Sequence, residues 1–129
     1  MPDAAILCVD DEITILKSLE IELRESFSDR YLYEFAESAT EALEILEELC
    51  SDGIRTLMVV SDWLMPGMKG DDLLIQIHQS YPDIVTVMLT GQADERAVQR
   101  ACEQAHLYRC LHKPWQAHEL SNLIHAALD

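Results

Sequence analysis

Hydrophobic positions along this chain fall into two alternating kinds of stretch. Short continuous apolar runs that end abruptly at a polar or charged residue fit strands buried on both faces. Longer segments in which apolar residues recur at three- and four-residue steps fit amphipathic helices. Ala4-Ala5-Ile6-Leu7-Cys8-Val9 stops at Asp10-Asp11-Glu12 and predicts the first strand. From Glu12 to about Phe27, the positions Ile15, Leu16, Leu19, Leu23 and Phe27 predict the first helix, whose acidic first turn suits the helix dipole. Aromatic-rich Tyr31 to Ala36 reads as the second strand. Ser38-Ala39-Thr40-Glu41 has the form of a capping box, and Ala42, Leu43, Leu46 and Leu49 continue it as a second helix to near Cys50.

The third strand runs from Thr56 to Ser61 and meets Asp62, after which Pro66-Gly67 forbids its continuation. Asp71 to His78 predicts the third helix and Ile84 to Leu89 the fourth strand, which runs into Thr90-Gly91-Gln92. A fourth helix from Asp94 to Ala105, a short fifth strand from Leu107 to Leu111 and a last helix from Glu119 to Leu128 complete the pattern. Strands alternating with helices predict an α/β fold, a doubly wound five-stranded parallel sheet with five helices on its two faces. Two strand orders are common for such sheets. In the order 2-1-3-4-5 the first and third strands are neighbours at the point where the winding reverses, which is where open sheets bind ligands. In that order Asp10, Asp11 and Asp62 converge, and Thr90 and Lys113 open onto the same rim.

Length and charge narrow the chemistry. The 129 residues suit one domain, expected to span 1–129. Nine basic against twenty-four acidic residues leave a net charge of −15. That argues against direct nucleic-acid binding and favours cations and basic partners. Cys8, Cys50, Cys102 and Cys110 have no metal-ligand spacing and read as reduced core residues. No apolar run approaches the roughly 18 residues of a membrane span and no signal peptide opens the chain, so the expected location is cytoplasmic, away from membranes.

Three ionised carboxylates packed together repel one another unless a cation joins them. Ligation by oxygen alone fits magnesium, Mg2+, which keeps several waters and completes its shell with substrate phosphate. A carboxylate is also a competent nucleophile toward phosphorus, forming an aspartyl-phosphate. Lys113 and the Thr90 hydroxyl would then neutralise and hydrogen-bond the phosphoryl oxygens.

Val9-Asp10-Asp11-Glu12, Asp62 through Gly70 (DWLMPGMKG), Leu89-Thr90-Gly91 and Lys113-Pro114-Trp115 together resemble the receiver-domain signature of two-component response regulators, over essentially the whole chain. The fold of that family is flavodoxin-like. The resemblance implies that Asp62 is the phosphoacceptor, Asp11 a direct magnesium ligand, Asp10 a ligand mainly through water, and the Leu64 main-chain carbonyl a further ligand. It implies that Thr90 is the switch hydroxyl and Lys113 the phosphate-binding lysine, next to a Lys113-Pro114 bond that is usually cis. The implied partners are a sensor histidine kinase or phosphotransfer protein upstream and an output domain or protein partner downstream, with a phosphorylation-dependent dimer among the outcomes. Such a domain is not an enzyme beyond catalysing its own phosphorylation and dephosphorylation.

Three positions depart from the family pattern. Cys110 stands where an aromatic switch residue is usual, and Leu64 and Gln92 occupy positions that tune how water reaches the acyl phosphate. The signal is expected to leave through the fourth helix, fifth strand and fifth helix, with partner contacts drawn from Arg96, Gln99, Arg100, Gln104, His106 and Tyr108. Tyr108, two residues before Cys110, is expected on the same strand face and could inherit part of the aromatic role. His78, His106, His112, His118 and His125 share no rim in this reading and take surface or packing roles. Trp115 is expected to pack on the last helix, Met65 and Met68 to shape the loop, and Glu47-Glu48 to form a solvated helix face. Two other functions compete. One is a magnesium-dependent aspartyl-phosphate phosphatase acting on outside substrates, disfavoured because such enzymes usually carry the nucleophile after the first strand and need a cap. The other is a metal-independent interaction module.

Overall fold

A computed structural model describes residues 2–91 and 95–129, so the expectations for Gln92 and for a helix start at Asp94 lie outside the described residues. The order of elements is β1 (Ala4–Val9), α1 (Ile13–Phe27), β2 (Leu32–Ala36), α2 (Ala39–Ser51), β3 (Arg55–Asp62), α3 (Gly70–Ser80), β4 (Val85–Thr90), α4 (Glu95–Gln104), β5 (Arg109–His112) and α5 (Glu119–Leu128). All strand pairs are parallel and the sheet order is β2-β1-β3-β4-β5.

Successive strand residues face opposite layers, and the two cores divide on that period. Leu7 and Val9 of β1, Val59 of β3 and Met88 of β4 pack against α2, α3 and α4 through Leu46, Leu73, Leu74, Ile77 and Ala101. Ile6 and Cys8, Met58 and Val60, Val87 and Leu89 point the other way, against Leu19 and Leu23 of α1 and Leu120 and Ile124 of α5. A strand buried on both faces has no polar alternation, which is why the central runs are continuously apolar.

Local chemistry fixes the helix starts. Ser38 Oγ accepts the Glu41 amide at 3.1 Å while Glu41 Oε1 accepts the Glu37 amide at 2.7 Å, a capping box displaced by one residue on its return bond. Helix α5 begins after His118, a left-handed residue (φ 68°) that provides no side-chain cap. Glu22 of α1 supplies one from a distance, accepting Ser121 N at 3.0 Å and Trp115 Nε1 at 2.9 Å. Trp115 packs in the α1/α5 core and is thereby bonded to α1 as well.

Four expectations need correcting. The fifth strand starts at Arg109 and ends at His112. Tyr108 precedes it and packs into the α1/α5 core, whereas Cys110 is on the opposite face with Thr90, so Tyr108 does not share the face of Cys110. Cys50 and Cys102 are exposed rather than core, because they fall on the outward phase of α2 and α4; Cys8 and Cys110 lie on strands, and all four are free. One histidine has more than a surface or packing role: His112 reaches the rim beside Thr90, while the stacking of His78 on His106, ring centroids 4.4 Å apart, is a packing role as expected. Met65 and Met68 do pack against the α2/α3/α4 core beneath their loop, and Glu47 and Glu48 are exposed.

Candidate functional site

The site forms where β1 and β3 end side by side. Val9 is in register with Ser61, so the residues that follow, Asp10 and Asp62, leave adjacent strands at one height. Asp62 is the last residue of β3, paired with Leu89, and Thr90 is the last residue of β4, paired with His112. Carboxylate oxygens of Asp10, Asp11 and Asp62 all lie within 4.8 Å of one another. Asp10 and Asp62 are buried and Asp11 is exposed.

Lys113 enters this cluster from just beyond β5, its position anchored by a hydrogen bond from its backbone amide to the Thr90 carbonyl at 2.8 Å and followed by a cis Lys113-Pro114 bond. Its Nζ stands 2.7 Å from Asp10 Oδ2 and 3.1 Å from Asp62 Oδ1. Asp10 Oδ1 accepts the Glu12 amide at 2.9 Å, which ties the acidic loop to the start of α1. Among the described residues Glu12 engages the site through its backbone, and its exposed side chain sits at the helix N-terminus.

One lysine does not balance three carboxylates. Burial, followed by the charge of Asp10, raises the Asp62 carboxyl to about 6, with Lys113 pulling the other way and Asp11 adding to the rise. Burial works to lower the Lys113 ammonium, but its hydrogen bonds and charge interactions with Asp10 and Asp62 outweigh it, so its affinity for the proton is raised. Asp10 Oδ2 is buried, and the Lys113 ammonium 2.7 Å away is its charge partner. Excess negative charge and a carboxylate held reluctant to ionise are what a bound divalent cation would resolve.

The loop after Asp62 is shaped by close backbone contact. The Gly70 amide donates to the Trp63 carbonyl at 2.7 Å, and a Cβ added to Gly70 would stand 2.0 Å from the Asp62 carbonyl oxygen. Only glycine lets α3 start so near the strand end. Leu64 is exposed on this loop, and among the described residues its carbonyl takes no backbone hydrogen bond. Lys69 Nζ lies 5.7 Å from the centre of the Trp63 ring.

Thr90 is 1% exposed, and its hydroxyl oxygen is 3.2 Å from His112 Nδ1 and 3.4 Å from Cys110 Sγ. Periodicity alone places Cys110 and His112 on one strand face, but only the β4–β5 register shows that Thr90 is what they face. Arg100 is likewise engaged: its guanidinium pairs with Asp71 and Asp72, fastening α4 to the first turn of α3.

Comparison with known proteins agrees with this geometry. The family model described as response regulator receiver domain matches residues 6–125. Among curated proteins, the sensor kinase CckA of Brucella abortus (strain 2308) is 32% identical over 98% of this chain and 13% of its own length. The chain spans between 13% and 24% of the first curated relatives that it matches. Among solved structures, the signal receiver domain of an HD domain-containing protein from Pseudomonas fluorescens Pf-5 superposes with a TM-score of 0.83 at 34% identity, covering 97% of this chain and 94% of that one. A response regulator receiver domain protein from Clostridium thermocellum gives 0.82 at 32% identity, again covering 97% and 94%.

Proposed function

The chain belongs to the response regulator receiver domain family, and from that premise we propose that Asp62 accepts a phosphoryl group from a phosphohistidine in a magnesium-dependent reaction. The observation that carries this reading is the convergence of Asp10, Asp11 and Asp62 within 4.8 Å with Lys113 Nζ 3.1 Å from Asp62. A receiver domain is a signalling phosphoacceptor module rather than an enzyme working on outside substrates.

In this reading an Asp62 carboxylate oxygen attacks phosphorus, the bond from phosphorus to the donor imidazole nitrogen breaks, and its electron pair stays on the ring. Asp10, Asp11 and Asp62 would hold magnesium, with the Leu64 carbonyl a further ligand. The metal supplies charge neutralisation for the phosphoryl oxygens. Lys113, held protonated by Asp10 and Asp62, exchanges part of that pairing for a phosphoryl oxygen. Thr90 lies at the end of β4 on the same rim and donates its hydroxyl to another.

Receiver domains interact with histidine kinases and phosphotransfer proteins, and such a protein is the proposed donor. The proposed output surface is α4, β5 and α5, where Arg96, Gln99, Gln104 and His106 are exposed. It would act on an output domain, a protein partner or a second copy of the domain. Residues 1–129 serve as one receiver unit in this account. Among the described residues no helix is long and apolar enough to cross a membrane, and the proposed location is the cytoplasm. Borohydride reduction of phosphorylated protein, followed by peptide mass mapping, tests the assignment: reduction converts an aspartyl-phosphate to homoserine, expected at position 62 and at no other carboxylate.

A further inference from the structure

We propose that His112 is the resting partner of the Thr90 hydroxyl and the residue through which phosphorylation is read at the surface, a device that rests on the reading of Asp62 as phosphoacceptor. Thr90 and His112 are register partners at the ends of β4 and β5. The Thr90 side chain is enclosed, whereas His112 is exposed, so the contact between Thr90 Oγ1 and His112 Nδ1 at 3.2 Å joins the interior of the rim to the outer face of β5. Cys110 Sγ, 3.4 Å from the same oxygen, is the other partner that the described residues give this hydroxyl.

A hydroxyl has one proton to donate. Whichever of the two atoms donates, the contact with Nδ1 lasts only while Oγ1 stays beside β5, and a hydroxyl drawn toward a phosphoryl oxygen on Asp62 gives it up. A resting contact worth a net hydrogen bond therefore opposes the active arrangement by roughly two- to tenfold in population. Engagement of Thr90 by the phosphoryl group frees the imidazole at the exposed end of β5. Cys110 is too small to sweep between the interior and the surface. His112 already spans both, next to the lysine that contacts Asp62.

His112 is thus a positioning residue that biases the Thr90 hydroxyl, and its ring carries the signature that a structural role would not. In the resting protein, Thr90→Val removes the hydroxyl at nearly constant shape and should shift the His112 Nδ1 resonance. Magnesium with beryllofluoride, a phosphoryl mimic, should move that resonance in wild type toward its position in Thr90→Val. His112→Phe, which keeps a ring without Nδ1, should reach half-maximal beryllofluoride response at roughly two- to tenfold lower concentration. His112→Asn, whose amide restores a polar partner, should return toward wild type. A ring resonance indifferent to Thr90→Val would overturn the inference. So would beryllofluoride shifting the amides around Asp62 while the ring stays at its resting position, with the phosphoacceptor reading intact. No response around Asp62 at all would overturn that reading and this inference together.

Discussion

Lys113 Nζ lies 3.1 Å from Asp62 Oδ1 and 2.7 Å from Asp10 Oδ2, so a single ammonium is shared by two buried carboxylates at the ends of neighbouring strands. The arrangement binds β1, β3 and the segment after β5 at one point, yet it leaves the cluster net negative. Removing one partner of a buried ion pair typically costs about 3–5 kcal/mol, because a charge is left uncompensated. Lys113→Met should therefore lower stability by a few kcal/mol at pH 7.5 in chelator, measured by urea unfolding. Part of that loss should return at pH 5, where Asp62 takes up a proton. An unchanged midpoint would mean that the lysine is not electrostatically coupled to the pair.

The raised Asp62 carboxyl also fixes the sign of a pH effect. Its folded value of about 6 lies above the ordinary 3.8. Between the two, the native state holds more protons than the unfolded chain, so stability contributed by this group falls as pH rises from about 4 to 6. Two units correspond to roughly 3 kcal/mol as an upper figure. In chelator, Asp62→Asn should be more stable than wild type at pH 7.5 by one to a few kcal/mol on the order of that linkage, with little difference at pH 4.5. A gap that does not shrink on acidification would contradict the assignment.

Magnesium should stabilise the wild-type domain by roughly 1–3 kcal/mol at tens to a hundred times its Kd, since the folded state alone assembles the three carboxylates. Asp11→Asn leaves the buried pair with Lys113 intact but removes the exposed member of the cluster. Its melting temperature in chelator should match or exceed that of wild type, while most of the magnesium-induced rise disappears. Equal responses in the two proteins would refute a site built on Asp11.

Gly70 offers a test of how tightly the loop is held. Alanine ordinarily favours a helix by about 1 kcal/mol over glycine. Here its Cβ would meet the Asp62 carbonyl oxygen at 2.0 Å and Trp63 Cα at 2.8 Å, neither able to retreat without moving the strand end. Gly70→Ala should lose roughly 1–3 kcal/mol through overpacking and weaken magnesium binding. Gain of stability would show that the approach of α3 to β3 is looser than described.

Much of this was legible in the chain because the decisive signals are local. Apolar runs ending at Asp10, Asp62 and Thr90 mark strand ends directly, and the helical phase of Leu16, Leu19 and Leu23 marks a buried face. What failed were inferences that carry a pattern past an element boundary. Counting two residues along a strand puts Tyr108 on the face of Cys110, but β5 begins only at Arg109 and Tyr108 packs into the opposite core. Partners set by register or by distant helices leave no local trace. His112 beside Thr90, Arg100 on Asp71 and Asp72, and Glu22 at the start of α5 are separated in sequence by 22, 29, 28 and 99 residues, respectively. The outward phase of Cys50, one position after buried Leu49, was readable from the helical period.

The central claim is that Asp62 carries the phosphoryl group. Its most direct test is the intact mass of the domain after incubation with acetyl phosphate, with magnesium or with chelator, for wild type and Asp62→Asn. The account predicts one added phosphoryl group on the wild type in magnesium, none in chelator and none on Asp62→Asn. A phosphoryl group appearing on Asp62→Asn to the same extent as on wild type would contradict it.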